Sequence, residues 1–255
     1  MLPFAGCVMM DQIKTRFYHK IRIDGVTLDC VFRFPETAAC FGTYAAGASE
    51  DQQGISVPEL EWRHWLSEGG SQDAHAEYSC FTACTSDALL RQGRMIVHGV
   101  SFSLGGKAWL ICAQSGVGKS TQVRTLQELY PGQVSVICGD RTVLRLESDG
   151  SVTACPSPWN GKEGWHGAEA APLAGILLLE RSEDSELLKL KPVLAAVPFL
   201  SSVICTYKEE ETVHLMAAFV RELLNRVPVW RYRNGGVPES SRMLYEQLLS
   251  REAKE

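Results

Sequence analysis

The chain has 255 residues, 45% of them hydrophobic and 22% charged, a globular composition able to bury a sizeable core and unlike that of a disordered chain. With 25 Lys and Arg against 30 Asp and Glu the net charge is −5, so no broad basic surface is available to neutralise a nucleic-acid backbone, and no nucleic-acid partner is expected. The nine cysteines are odd in number and mostly set in apolar runs, which reads as reduced core thiols in a cytoplasmic protein; Cys80 and Cys84 lack the second Cys or His pair that zinc would need.

In chain order, residues 1–10 are apolar but have no basic flank and run straight into Asp11. They read as neither a signal peptide nor a membrane span, and no membrane partner is expected. Residues 17–23 and 26–34 are partly alternating runs separated by Asp24-Gly25, a hairpin signal. Residues 45–76 are rich in Gly, Ser, Glu and Gln, hold Trp62 and Trp65, and show no sustained period, so this stretch is expected to be irregular. A boundary near 86–93 then divides a β-containing N-terminal lobe, residues 1–90, from a larger domain, residues 91–255.

The larger domain opens with a strand over 95–104, a Gly105-Gly106 turn and an apolar strand over 107–112. That hairpin delivers the chain into Ala113-Gln114-Ser115-Gly116-Val117-Gly118-Lys119-Ser120-Thr121. A helix follows over about 119–130, stopped by Pro131-Gly132, and a buried strand over 134–138 ends at Gly139-Asp140-Arg141. A further buried strand is expected over 174–179, and helices over 210–225 and 238–253. Strands alternating with helices indicate an α/β domain.

Gly116-Val117-Gly118-Lys119-Ser120 between a strand and a helix has the character of a phosphate-binding loop. Glycines let backbone N–H groups converge on phosphate oxygens, the helix N-terminus adds partial positive charge, and a lysine reaches the β- and γ-phosphates. Ser115 to Thr121 are therefore the candidate nucleotide-binding residues, with Ser120 as a Mg²⁺ ligand. Ala113 stands where the usual pattern has its first glycine. Asp140, at the end of the next strand, is placed to be the second Mg²⁺ ligand, and a turn residue paired with Arg141 is the competing reading. His98 lies in the strand entering the hairpin, and the strand-turn-strand can return it to the loop.

Residues 97–100, Val-His-Gly-Val, followed by Gly105-Gly106, Ser115 to Ser120 and Gly139-Asp140-Arg141, resemble the core of the bacterial HPr kinase/phosphorylase family. That family shares its nucleotide-binding fold with ATP-dependent phosphoenolpyruvate carboxykinase. The resemblance covers roughly residues 95–146. It implies an ATP- and Mg²⁺-dependent P-loop kinase in which His98, Lys119 and Asp140 surround the transferred phosphoryl group. Two departures stand out: the family has two adjacent aspartates where this chain has Gly139-Asp140, and its glycine-rich C-terminal signature has no counterpart here. The similarity is greater to short carboxykinase-like members with differing acceptors, some of which act on peptide serines.

Downstream, residues 156–166 form a turn-rich segment in which Lys162 is a candidate for neutralising phosphoryl charge and Glu163 for accepting a proton. A loop of this kind is expected to close over the phosphates as a lid, although a surface loop anchored by its tryptophans accounts for the same composition. Arg181, after the strand over 174–179, is a candidate for reaching the triphosphate, and a solvated pair with Glu180 is the competing reading. The expected function is thus phosphoryl transfer to a hydroxyl of a peptide, a protein or a small molecule, in a protein free to form homo-oligomers. A nucleotide-binding sensor or scaffold without transfer chemistry is the alternative, and a GTPase is disfavoured because no Asn-Lys-x-Asp motif follows the strands.

Overall fold

Asp24 and Gly25 both take positive φ, 44° and 78°, the pairing that a two-residue hairpin turn demands. They join β1 (Phe17–Ile23) to β2 (Val26–Phe32) in register from Phe17↔Phe32 to Ile23↔Val26. The computed structural model of the protein describes residues 16–51, 53–67, 73–165, 167 and 169–252. The readings of residues 1–10 and of His166 lie outside them. Two compact units emerge, residues 1–85 and 86–255.

In the first unit, α1 (Pro35–Cys40) follows the hairpin and β3 (Ala45–Ala48) adds to the β1 edge, giving a sheet of order β2-β1-β3. Helices α2 (Glu59–Ser67) and α3 (Asp73–Arg91) come next, and α3 runs across the unit boundary. The stretch expected to be irregular over 45–76 therefore contains β3, α2 and the start of α3. In α2 only Trp62 is buried among its described side chains while Leu60 is exposed, so no apolar stripe marks the helix. Helix α3 buries Glu77, Thr82, Thr85 and Ser86 among its apolar residues, which blurs its period. The core of this unit is aromatic: Phe32 packs edge-on against Phe81 at 4.9 Å between ring centroids, and Phe41 against Tyr78 at 5.1 Å.

The second unit is built on a nine-stranded mixed sheet. Strands β4 (Arg94–Leu104) and β5 (Lys107–Cys112) form the expected hairpin, its turn made by Gly105 and Gly106 at φ 58° and 81°. Then come α4 (Lys119–Leu129), β6 (Val134–Cys138), β7 (Arg141–Leu146), β8 (Val152–Cys155) and β9 (Ala171–Arg181). The chain ends through β10 (Glu186–Leu190), α5 (Pro192–Leu200), β11 (Val203–Ile204), α6 (Glu210–Arg226), β12 (Val229–Asn234) and α7 (Glu239–Glu252). The main strand order is β10-β12-β9-β5-β4-β7-β8, with β6 and β11 also paired to β4. Only β5–β9 and β9–β12 are parallel, so the α/β alternation read from the sequence yields a mixed sheet. Long β9 also meets β8 through Ala171 and Pro172, closing the sheet on itself at that end.

Apolar clusters lie on both faces of this sheet. Val97, Leu110 and Ile176 pack with Phe199, Phe219 and Leu223 of α5 and α6 on one side. On the other, Phe102, Ile111 and Leu177 pack with Val123 and Leu126 of α4 and Leu248 of α7. The result is a three-layer α/β/α unit with the C-terminal ends of β5, β9 and β12 side by side, the edge at which open α/β sheets place ligands.

Candidate active site

Strand β5 ends at Cys112, and the chain turns through residues 113–118 into α4. Gly116 and Gly118 take φ of 78° and 118°, a left-handed backbone that lets the loop curl over the start of the helix, with Gly118 as its N-cap. Ser115 and Gly116 are exposed, and Ser120 is partly buried. Lys119 is only 8% exposed, and its Nζ donates to the carbonyl oxygens of Ala113 at 2.8 Å and Gln114 at 3.3 Å. Burial pulls the Lys119 ammonium below its ordinary pKa, opposed by the negative charge of Asp140. Arg181 at the end of β9 braces the loop, donating to the Gly116 carbonyl at 2.6 Å and the Val117 carbonyl at 3.4 Å. Its neighbour Glu180 faces Arg231 and Arg233 instead, each at 3.9 Å.

His98 reaches the site through an irregularity in β4. Both His98 and Gly99 oppose Arg141 of β7, a two-against-one pairing that bends a strand and re-aims a side chain. Gly99 is required at that bend: a Cβ would meet the Ile111 carbonyl oxygen at 2.8 Å and Cys112 Sγ at 3.2 Å. The Gly99 amide donates to the Asp140 carbonyl at 2.7 Å, and His98 Nε2 lies 3.3 Å from Asp140 Oδ1. Arg141 Nε stands 3.5 Å from the other carboxylate oxygen. Burial raises the Asp140 carboxyl, but the His98 hydrogen bond and the charges of Arg141, His98 and Lys119 outweigh it and hold the group below its ordinary value. Asp140 therefore stays ionised at neutral pH.

The segment over 156–165 packs onto this turn. Ser157 is fully buried, its hydroxyl donating to the Arg141 carbonyl at 2.5 Å and accepting from the Trp159 amide at 3.3 Å. Trp159 is buried, and its carbonyl accepts the Arg141 amide at 3.1 Å. Glu163 is engaged by Arg124 of α4, whereas Lys162 is exposed. The segment is thus held at Ser157, Trp159 and Glu163.

His98, Asp140, Lys119, Ser120 and Arg181 gather around the 113–118 loop, and Glu163 is tied to the helix behind it. Ser157, Arg124 and Ser202, whose carbonyl accepts the His98 amide at 2.7 Å, had no signal in the sequence because each reaches the site through a hydrogen bond or ion pair to a residue distant in the chain. For Mg²⁺ the available donors are the Asp140 carboxylate and the Ser120 hydroxyl. These hard oxygens suit an ion held chiefly by phosphate and water. Among the described residues, no group of three His, Cys, Asp or Glu side chains comes together as a metal cage.

No family model and no curated protein matches the chain. Among solved structures, the HPr(Ser) kinase/phosphatase from Coxiella burnetii aligns over 62% of this chain and 91% of its own, at 11% identity and a TM-score of 0.39.

Proposed function

We propose that the protein is an ATP- and Mg²⁺-dependent phosphotransferase of HPr-kinase-like type, acting in the cytoplasm on a hydroxyl of a peptide, a protein serine or a small molecule. The observation that carries this reading is the convergence of His98, Asp140 and Lys119 beside the N-terminus of α4. The backbone N–H groups of residues 115–121 would receive phosphate oxygens at the positive end of the helix. Lys119 would exchange its two carbonyl partners for the β- and γ-phosphates, with Arg181 keeping the loop in shape. Ser120 and Asp140 would hold Mg²⁺, which when bound neutralises charge on the phosphates.

A carboxylate held below its ordinary pKa, as Asp140 is, is a weak proton acceptor, which leaves the hydroxyl proton to His98, whose Nε2 lies 3.3 Å from Asp140. Glu163 can take that role only by leaving Arg124, and Lys162 is free to approach the transferred group. In single-turnover experiments, Asp140→Asn should slow phosphoryl transfer by about 100-fold or more, and His98→Ala should slow it comparably. Unchanged rates in both variants would contradict the assignment. The second reading, a nucleotide-binding sensor or scaffold, is favoured by the lone carboxylate at the turn and would appear as Mg²⁺-ATP binding without turnover.

A further inference from the structure

A cavity of about 330 Å³ opens on the α5 side of the sheet, at the C-terminal ends of β5, β9 and β12. Its volume suits a small molecule. Its apolar lining comes from the half-buried Leu178 and Leu190 and from Leu194 and Pro198, which are exposed. Glu180 and Arg231 also line it, with Glu180 Oε1 3.9 Å from Arg231 Nε and their side chains 50% and 48% exposed. A pair this long and this solvated leaves most of the guanidinium donors and carboxylate lone pairs free for a ligand. Glu180 is equally far from Arg233, whose charge is also met by Glu186 at 3.5 Å.

These neighbours restrict what fits. A simple anion drawn to Arg231 would sit beside the Glu180 carboxylate, and a simple cation drawn to Glu180 would sit beside Arg231. A ligand carrying both charges on adjoining atoms satisfies both, and an apolar branch on the same centre meets the leucine lining. We infer that this cavity binds a zwitterionic α-amino acid with a branched apolar side chain, its carboxylate on Arg231 and its ammonium on Glu180. Ser201 and Gln114, also in the wall, supply further polar groups. The cavity borders the loop described above, since its wall residues Ala113 and Gln114 accept the Lys119 ammonium and its wall residue Ser202 accepts the His98 amide. The inference stands on the cavity alone and does not require phosphoryl transfer.

The test is calorimetric titration of the full chain, without nucleotide, backed by saturation-transfer NMR as a readout that does not depend on binding enthalpy. The probes are L-leucine, 4-methylpentanoate (no ammonium), 3-methylbutylamine (no carboxylate) and glycine (no apolar branch). L-Leucine should bind saturably, and each of the other three at least about tenfold more weakly. Arg231→Gln and Glu180→Gln, at half-exposed positions and checked for wild-type melting, should each weaken L-leucine by a similar factor. No saturable L-leucine binding at millimolar concentration overturns the proposal. So does equal affinity for the truncated probes, or unchanged affinity in both variants.

Discussion

A Cβ at position 139 would lie 2.4 Å from the Asn160 carbonyl oxygen and 3.2 Å from the Trp165 ring. The single aspartate of this turn therefore has a packing cause: the segment carrying Trp159 and Asn160 occupies the space that a side chain at 139 would need. Backbone atoms cannot yield as a flexible side chain does. Gly139→Ala should cost about 1–3 kcal/mol, the range for overpacking a filled interior, and Gly139→Asp more. Chemical denaturation reads this directly, and an unchanged midpoint would mean that the loop yields freely. Asp140 makes a second prediction at this scale. Its carboxyl is held below the ordinary value of 3.8, so the ionised form stabilises the fold above that pH, and the contribution is lost as pH falls through the folded value. The stability difference between wild type and Asp140→Asn should stay constant near neutrality and shrink only below about pH 4. A difference that instead shrank between pH 5 and 7 would place the titration elsewhere.

Among the elements, α4 is fixed at more than its N-terminus. Buried Gln122 accepts hydrogen bonds from Tyr232 of β12 at 3.0 Å and Ser241 of α7 at 2.7 Å, and the Tyr232 and Ser240 hydroxyls lie 2.6 Å apart. This network joins the helix behind the loop to the sheet and to α7, so the loop is aimed by a rigid support. The segment over 156–165 is held unevenly. Ser157 and Trp159 are buried, and the amides of Trp159 and Asn160 both have acceptors, whereas Gly161 to Gly164 are exposed and tethered through Glu163 to Arg124. Any closing motion is confined to residues 161–164. Arg124→Ala should speed hydrogen exchange over 162–164 severalfold while leaving 159–160 as protected as in the wild type. Equal loss of protection across the whole segment would show that it opens as one piece.

Across the whole molecule, the described residues contain no helix long and apolar enough to cross a membrane. The cysteines described are free thiols, and burial pushes those of Cys30 and Cys112 up to about 12, so they serve as core packing rather than as nucleophiles. What could be read in advance tracks local signals. The β4–β5 hairpin, the glycine loop and α4 announce themselves through turn residues and apolar runs, as do β6, β9, α6 and α7. Strand β12, an alternation of Val, Trp, Arg and Tyr between Pro228 and Gly235, carries local signals too, although no strand is among the elements expected between the helices over 210–225 and 238–253. Helix α5 is apolar nearly all round and contains Pro198, which hides its period. The two-against-one pairing that aims His98, and the contact that bars a side chain from position 139, depend on partners 40 and more or about 20 residues away. No periodicity within β4 or at the turn encodes them.

In the nucleotide site proposed for the loop over 113–119, the buried cation is Lys119. The decisive experiment is titration calorimetry of Mg²⁺-ATP into wild type and Lys119→Ala, at matched folding by circular dichroism. The wild type should bind saturably and the variant about 10- to 100-fold more weakly, the order expected when a charged hydrogen-bond donor to phosphate is removed. Equal affinities in the two proteins, or no binding by the wild type, would contradict this proposal.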